Sequence, residues 1–126
     1  MRKSVLVLLC AAAPSAAFAQ EMPLSEYLSR TDALMKKVHN QASPEYMALR
    51  DEINGALVRA QNERRIARKE GRAPTACLPA GRPATSNAEV AKHFASIPAE
   101  ERQNLSVGKA FMQLMERKFP CASASR

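Results

Sequence analysis

The chain contains 126 residues, of which 46% are hydrophobic and 5% aromatic, and it has no tryptophan. Its 19 basic and 12 acidic residues give a formal net charge of +7, which permits an anionic partner without requiring a nucleic acid. A chain this short excludes a two-domain enzyme, a barrel of eight strand–helix units and a Rossmann domain.

Residues 1–19 have the three parts of a secretory signal peptide. Arg2 and Lys3 supply the basic start, residues 5–13 form a short apolar run, and residues 17–19 read Ala-Phe-Ala, a small-x-small cleavage signal. We therefore expect a periplasmic protein that begins at Gln20 and has 107 residues and a net charge of +5. No later run of 18 apolar residues is present, so the sequence predicts no membrane span.

Two helices are predicted in the first half of the mature chain. Apolar residues at helical spacing predict the first helix from about Leu24 to Asn40. Ser43 as cap and Pro44 at the first helical position start the second helix, which runs to about Lys69. Its apolar positions are Tyr46, Leu49, Ile53, Leu57 and Ala60. The pattern thins after Ala60, so we expect the end of this helix to project into solvent.

The second half is predicted to contain a stiff loop and two more helices. Residues 75–85 hold two prolines and a glycine, and Ser86 with Glu89 fits a capping box for a short helix to about Ser96. Pro98 starts a last helix that runs to about Phe119. The apolar stripe of this last helix is Leu105, Gly108, Phe111, Met112, Met115 and Phe119. The fold class is therefore all-α, a small four-helix domain.

The cysteines predict one disulfide bond. Cys10 lies in the signal peptide, and Leu9 before it is not the small residue that a lipoprotein signal requires. Cys77 and Cys121 are the two that remain, and two cysteines in an exported chain pair most simply with each other. This bond links the central loop to the C-terminus and closes a loop of 45 residues, worth roughly 4 kcal/mol in the chain-entropy model. A zinc site would need more ligands at short spacing, and a catalytic thiol is the less favoured alternative.

The sequence offers no support for catalysis or for a cofactor. It contains no G-x-S-x-G, H-E-x-x-H or phosphate-binding glycine loop. His39 and His93 are the only histidines, and neither has an acid or nucleophile identifiable beside it, so both are interpreted as surface residues. We predict that the protein is not an enzyme.

A basic stretch from Arg59 to Arg72 is the most unusual surface feature that the sequence predicts. It contains six cations and two acids: Arg59, Arg64, Arg65, Arg68, Lys69 and Arg72 with Glu63 and Glu70. A solvated helix face is one interpretation, and a contact surface for an acidic partner is the other. The stretch lacks interleaved aromatic residues, which argues against nucleic acid.

The second half of the chain also resembles a known family. It resembles the Rap/Tai group in four features. These are the segment 77–79 (Cys-Leu-Pro), the capped helix through Val90 and Phe94, Pro98, and the segment 119–121 (Phe-Pro-Cys). These are exported immunity proteins against peptidoglycan amidases that type VI secretion delivers. Residues 53–57 (Ile-Asn-Gly-Ala-Leu) also resemble the family's glycine-containing helix, so the resemblance covers about Tyr46 to Cys121. Many members carry a further cysteine ahead of this glycine, which is absent here.

The resemblance implies inhibition of a secreted amidase by occlusion. Members are small helical proteins, often homodimers, that insert a loop into the active-site cleft of the enzyme. We expect the stiff loop from Leu78 to Thr85 to serve as this loop, because a preordered segment loses less entropy on binding. A plain connector held by the disulfide is the alternative. The expected partner-binding residues are Pro79, Arg82, Arg64, Arg65 and Arg68.

Two functions from other classes stay open at this point. One is a periplasmic helical stress chaperone that binds unfolded proteins, although two histidines and few clustered carboxylates offer no evident acid trigger. The other is a basic envelope-binding protein that uses Arg64, Arg65, Arg68 and Lys69.

Overall fold

The computed structural model describes residues 21–37, 41–81 and 85–121. They form five helices, α1 (Leu24–Met35), α2 (Pro44–Lys69), α3 (Asn87–Ser96), α4 (Ala99–Arg102) and α5 (Val107–Lys118), and the described ranges contain no strand. Four helices have ten or more residues, which confirms the predicted all-α, four-helix class. The predicted signal peptide, His39 and Arg82 lie outside the described residues.

The segment before α1 is held by backbone hydrogen bonds to a distant part of the chain. The N–H of Leu24 donates to the Leu105 carbonyl at 2.8 Å, and the N–H of Val107 donates to the Met22 carbonyl at 2.9 Å. These bonds place Leu24 in the core, where it is fully buried. Helix α1 ends at Met35, five residues before the predicted Asn40.

Helix α2 has the predicted bounds. The Ser43 hydroxyl accepts the N–H of Tyr46, Pro44 occupies the first helical position, and Gly71 follows the helix with a positive φ of 68°. The prediction that its end projects into solvent is wrong. The N–H of Arg72 donates to the Ala67 carbonyl at 3.0 Å, and the chain then runs back along the last turns, burying Ala67 completely.

The predicted capping box of α3 is confirmed, because Ser86 and Glu89 exchange both side-chain-to-backbone hydrogen bonds. The single helix predicted from Pro98 to Phe119 is wrong, since residues 103–106 interrupt it. The Ser106 hydroxyl accepts the N–H of Lys109 at 3.1 Å and thereby starts α5 as a new helix. Gly108 is consequently the second residue of α5 rather than the middle of a long helix.

The core forms chiefly between α2 and α5. Ala56 and Ala60 are the buried α2 residues at this interface, and their short side chains let the two helices approach closely. Phe94 of α3 is fully buried and meets Tyr27 of α1 edge to face, with ring centroids 5.7 Å apart. The buried residues of α5 are Val107, Ala110, Phe111, Leu114 and Met115, of which the predicted stripe contained only Phe111 and Met115.

The predicted disulfide between Cys77 and Cys121 is confirmed, with Cα atoms 4.9 Å apart. The N–H of Cys77 also donates to the Phe119 carbonyl at 2.8 Å. One end of the molecule therefore contains the last turn of α5, the final turns of α2 and residues 71–81. Helix α3 joins them, because Lys118 pairs with Glu89 at 2.9 Å. We call this the loop-bearing end.

Candidate partner-binding surface

The predicted loop from Leu78 to Thr85 is described at residues 78–81 and 85, and the stretch 78–81 is hydrogen-bonded to α2 on both sides of two exposed residues. Leu78 is buried, and its carbonyl accepts a hydrogen bond from the Arg64 guanidinium. The Gly81 carbonyl accepts one from the Gln61 amide at 3.3 Å. Between these anchors Pro79 and Ala80 are exposed. The disulfide at Cys77 fixes the start of the loop, so its exposed residues are held in place before any partner arrives.

The structure brings two of the predicted partner-binding residues together. Arg64 and Pro79 line the same shallow depression of about 330 Å³. The Arg64 guanidinium donates a hydrogen bond to the Leu78 carbonyl and so holds the start of the loop against α2. Arg68 lies one helical turn beyond Arg64, and Arg65 lies on the outward side of α2, opposite buried Ala67. Arg82 is outside the described residues.

Three of the six cations in the basic stretch form ion pairs or hydrogen bonds within the protein. Arg72 pairs with Glu63 and Glu70, each at 2.7 Å, and the N–H of Thr75 donates to the second Glu63 oxygen at 3.2 Å. Partial burial raises the pKa of Glu63, but the hydrogen bonds from Arg72 and Thr75 outweigh it and lower the pKa below its ordinary value of 4.5. These contacts tie residues 72–75 to α2.

Arg59, the first cation of the stretch, lies at the α2–α5 contact. Its guanidinium is 3.1 Å from Glu21 and 3.8 Å from Glu52. A Cβ on Gly108 would lie 3.2 Å from this guanidinium, so the missing side chain makes room for Arg59. A depression of about 730 Å³ nearby is lined by Glu21 and Glu52 together with Glu26 and Lys109.

Three cations of the stretch keep their charges exposed. Arg65, Arg68 and Lys69 have no ion pair or hydrogen bond to another side chain in the described ranges, and all three are exposed. They lie in the last turns of α2, the helix that also carries the loop contacts Gln61 and Arg64. Exposed cations of this kind steer an acidic partner toward the surface that carries them, in a salt-dependent manner.

The interpretation of His93 as a surface residue is wrong. Its side chain is only 7% exposed, its Nε2 lies 2.9 Å from the Ala110 carbonyl, and its Nδ1 lies 2.8 Å from Arg117 Nη2. An arginine can only donate, so Nδ1 accepts, Nε2–H donates, and the imidazole is neutral. Burial lowers the pKa of His93 below 6.5, the Ala110 hydrogen bond opposes this, and the charge of Arg117 lowers it further.

The burial of His93 had a signal in the sequence. Position 93 falls between Val90 and Ile97 at helical spacing and next to Phe94, so it belongs to the apolar face of α3. The partner Arg117 had no such signal, because it lies 24 residues away on another helix.

A groove of about 410 Å³ separates α3 from α5 beside this pair. Three cations line it, namely Lys92, Arg117 and Lys118, with Glu89 as the single carboxylate. Glu89 is occupied, because Lys118 and the N–H of Ser86 both donate to it and lower its pKa below 4.5.

Among the described residues, no three His, Cys, Asp or Glu side chains come together where they could hold a metal ion. None of the helices in the described ranges has the length and apolar character that crossing a membrane requires. No family model, curated protein or solved structure matches the chain.

Proposed function

We propose that this chain is an exported inhibitory protein that binds a peptidoglycan amidase effector of type VI secretion and blocks its active-site cleft. The class of partner comes from the resemblance to the Rap/Tai group. The observation that carries the inhibitory mode is the anchored loop, with Pro79 and Ala80 exposed between two hydrogen-bonded ends. A loop that is already ordered loses little conformational entropy when it enters a cleft.

Charge supports the same mode of binding. Arg65, Arg68 and Lys69 are exposed in the last turns of α2 without neutralising partners in the described ranges, so the loop-bearing end attracts an acidic surface. These cations raise the rate of association more than they lower the rate of dissociation. The loop supplies the close contact, and the cations supply the steering.

The test is a pair of matched variants assayed against an amidase effector that the mature chain captures from its host. Ala80→Arg adds a bulky charge at an exposed position of the loop, and Ala48→Arg adds the same side chain at an exposed position of α2. Ala48 lies 16 residues before Arg64, about 24 Å along the helix. We expect Ala80→Arg to weaken binding at least about 30-fold, the effect of a hot-spot residue worth about 2 kcal/mol, and Ala48→Arg to leave it unchanged.

Equal binding of wild type and Ala80→Arg would overturn the loop as the inhibitory element. The proposal as a whole fails if the mature chain captures no amidase. Capture of many unrelated unfolded proteins would instead support the stress chaperone. Both variants should retain the wild-type melting temperature, which separates a lost contact from a lost fold.

A second candidate function is binding to an anionic envelope polymer. The three exposed cations are the observation that favours it. In that case replacing Arg65, Arg68 and Lys69 by Gln should abolish binding to isolated envelope polymer, and wild-type binding should fall steeply with salt. The loop variant Ala80→Arg would then bind like wild type. If the protein is instead an amidase inhibitor, Ala80→Arg should weaken binding to the amidase more than the replacement of the three cations does.

A further inference from the structure

Arg117 has a guanidinium that a buried residue holds in place. Its Nη2 donates to Nδ1 of His93, whose ring is itself fixed by the bond from Nε2 to the Ala110 carbonyl. This bond uses one of the five N–H donors that a guanidinium carries. The remaining donors have no hydrogen-bond partner within the described ranges, and the Arg117 side chain borders the groove between α3 and α5. A guanidinium fixed in this way is preorganised for an acceptor.

The charges around the groove are unbalanced. Lys92 on α3 and Arg117 on α5 line it without an ion pair among the described residues, and the imidazole of His93 between them is neutral. Lys118 and Glu89 pair with each other across the edge of the groove. Its volume of about 410 Å³ falls in the range of about 300–1,000 Å³ that small-ligand sites occupy.

We propose that this groove is a carboxylate-binding site, in which Arg117 is the main ligand, Lys92 the second cation and His93 the residue that positions Arg117. A singly charged carboxylate fits better than a phosphate dianion, because buried Leu114 and a neutral imidazole form part of the lining and a dianion costs more to desolvate. The site is separate from the loop at residues 78–81, and it requires no amidase.

The direct test is titration of the mature chain with short peptides, followed by NMR of the imidazole nitrogens. The first probe is N-acetyl-Ala-Asp-Ala-amide, and its matched neutral control carries Asn in place of Asp. Bound carboxylate offsets the charge of Arg117, so the pKa of His93 should rise with the Asp peptide and stay constant with the Asn peptide. N-acetyl-Ala-Ala with a free terminus distinguishes a chain-terminal carboxylate from a side-chain carboxylate. A rise with inorganic phosphate alone would overturn the assignment to carboxylates.

Variants of the lining residues test each assigned role. Arg117→Gln should weaken the Asp peptide at least about tenfold, the effect of losing a charge-assisted hydrogen bond. Arg65→Gln removes an exposed cation on α2 and serves as the matched control, with unchanged affinity expected. Wild-type affinity in Arg117→Gln, or equal binding of the Asp and Asn peptides, would overturn the proposal.

The positioning role of His93 has its own readout. His93→Gln keeps an amide oxygen that can accept from Arg117, so this variant should retain the wild-type affinity for the Asp peptide at pH 7. His93→Leu removes the acceptor and should weaken the peptide several-fold. A folded His93→Leu variant, judged by circular dichroism, that binds like wild type would show that Arg117 needs no positioning.

Discussion

Removing the bridge between Cys77 and Cys121 should destabilise the protein more than most single substitutions would. We consider the double variant Cys77→Ala/Cys121→Ala, which leaves no unpaired thiol in the described chain. The bridge spans 44 positions, so its removal frees a closed loop of 45 residues in the unfolded state. The chain-entropy model assigns about 4 kcal/mol to a loop of this length.

This loss of stability can be measured as a fall in the melting temperature. For a domain of roughly 100 residues, an unfolding entropy of about 2.1 cal/mol/K per residue converts 4 kcal/mol into a fall of about 20 °C. Far-UV circular dichroism follows the melting of the helices. Wild type in the presence of a reductant should melt at the temperature of the double variant, and the double variant should not respond to the reductant.

A fall of less than about 5 °C in both the variant and the reduced wild type would refute the reasoning. In that case noncovalent contacts alone would hold the central loop to α5. The N–H of Cys77 bonded to the Phe119 carbonyl and Arg64 bonded to the Leu78 carbonyl are the contacts that would do so. A large fall in the variant with no fall in the reduced wild type would instead indicate that the alanine side chains pack poorly.

Three further predictions concern the helices around α3. Because the folded pKa of His93 lies below its ordinary 6.5, the unfolded chain binds the proton more tightly, so stability should decrease as pH falls from above 6.5 toward the folded pKa. His93→Gln should flatten this part of the pH profile in urea melts, and an equally steep profile would assign it to other groups. Phe94→Ala should cost about 3–5 kcal/mol by chemical denaturation, because it empties a fully buried site; a loss below about 1 kcal/mol would mean that the core collapses around it. Ser86→Ala removes half of the capping box and should cost about 1 kcal/mol, whereas Ala88→Ser, at an exposed position two residues further along, should change the stability little.

Local signals in the sequence predicted the starts of α2 and α3. Ser43 with Pro44, and Ser86 with Glu89, act on backbone groups no more than three residues away. Such contacts form between neighbours in the chain and need no tertiary structure. The disulfide was predictable for another reason, because two cysteines left after the predicted signal peptide can pair within the chain in only one way.

The break between α4 and α5 was not predicted, although Ser106 is a good capping residue. Pro98 and the apolar spacing beyond it favour one continuous helix when they are considered alone. The backbone groups of Leu105 and Val107 instead bond to the segment at Met22 and Leu24, more than 80 positions earlier. Only the folded chain brings these segments together.

The cations of the candidate surface show the same division. Their number and their clustering on α2 follow from the sequence, as does the stiffness of a loop that contains Pro79 and Gly81. Which of them keep an exposed charge depends on where the acids lie in space. Glu21 reaches Arg59 from 38 positions away, and residues 72–75 fold back onto Glu63.

The sequence by itself therefore determined the all-α class, the bounds of α2 and α3, and the pairing of Cys77 with Cys121. Tertiary structure decided that His93 is buried, that Arg117 donates a hydrogen bond to it, and that Arg64 donates one to the Leu78 carbonyl. The physical reason is range: caps, helix periodicity and cysteine pairing depend on neighbours or on simple counting, whereas burial and side-chain pairing depend on which helices pack together.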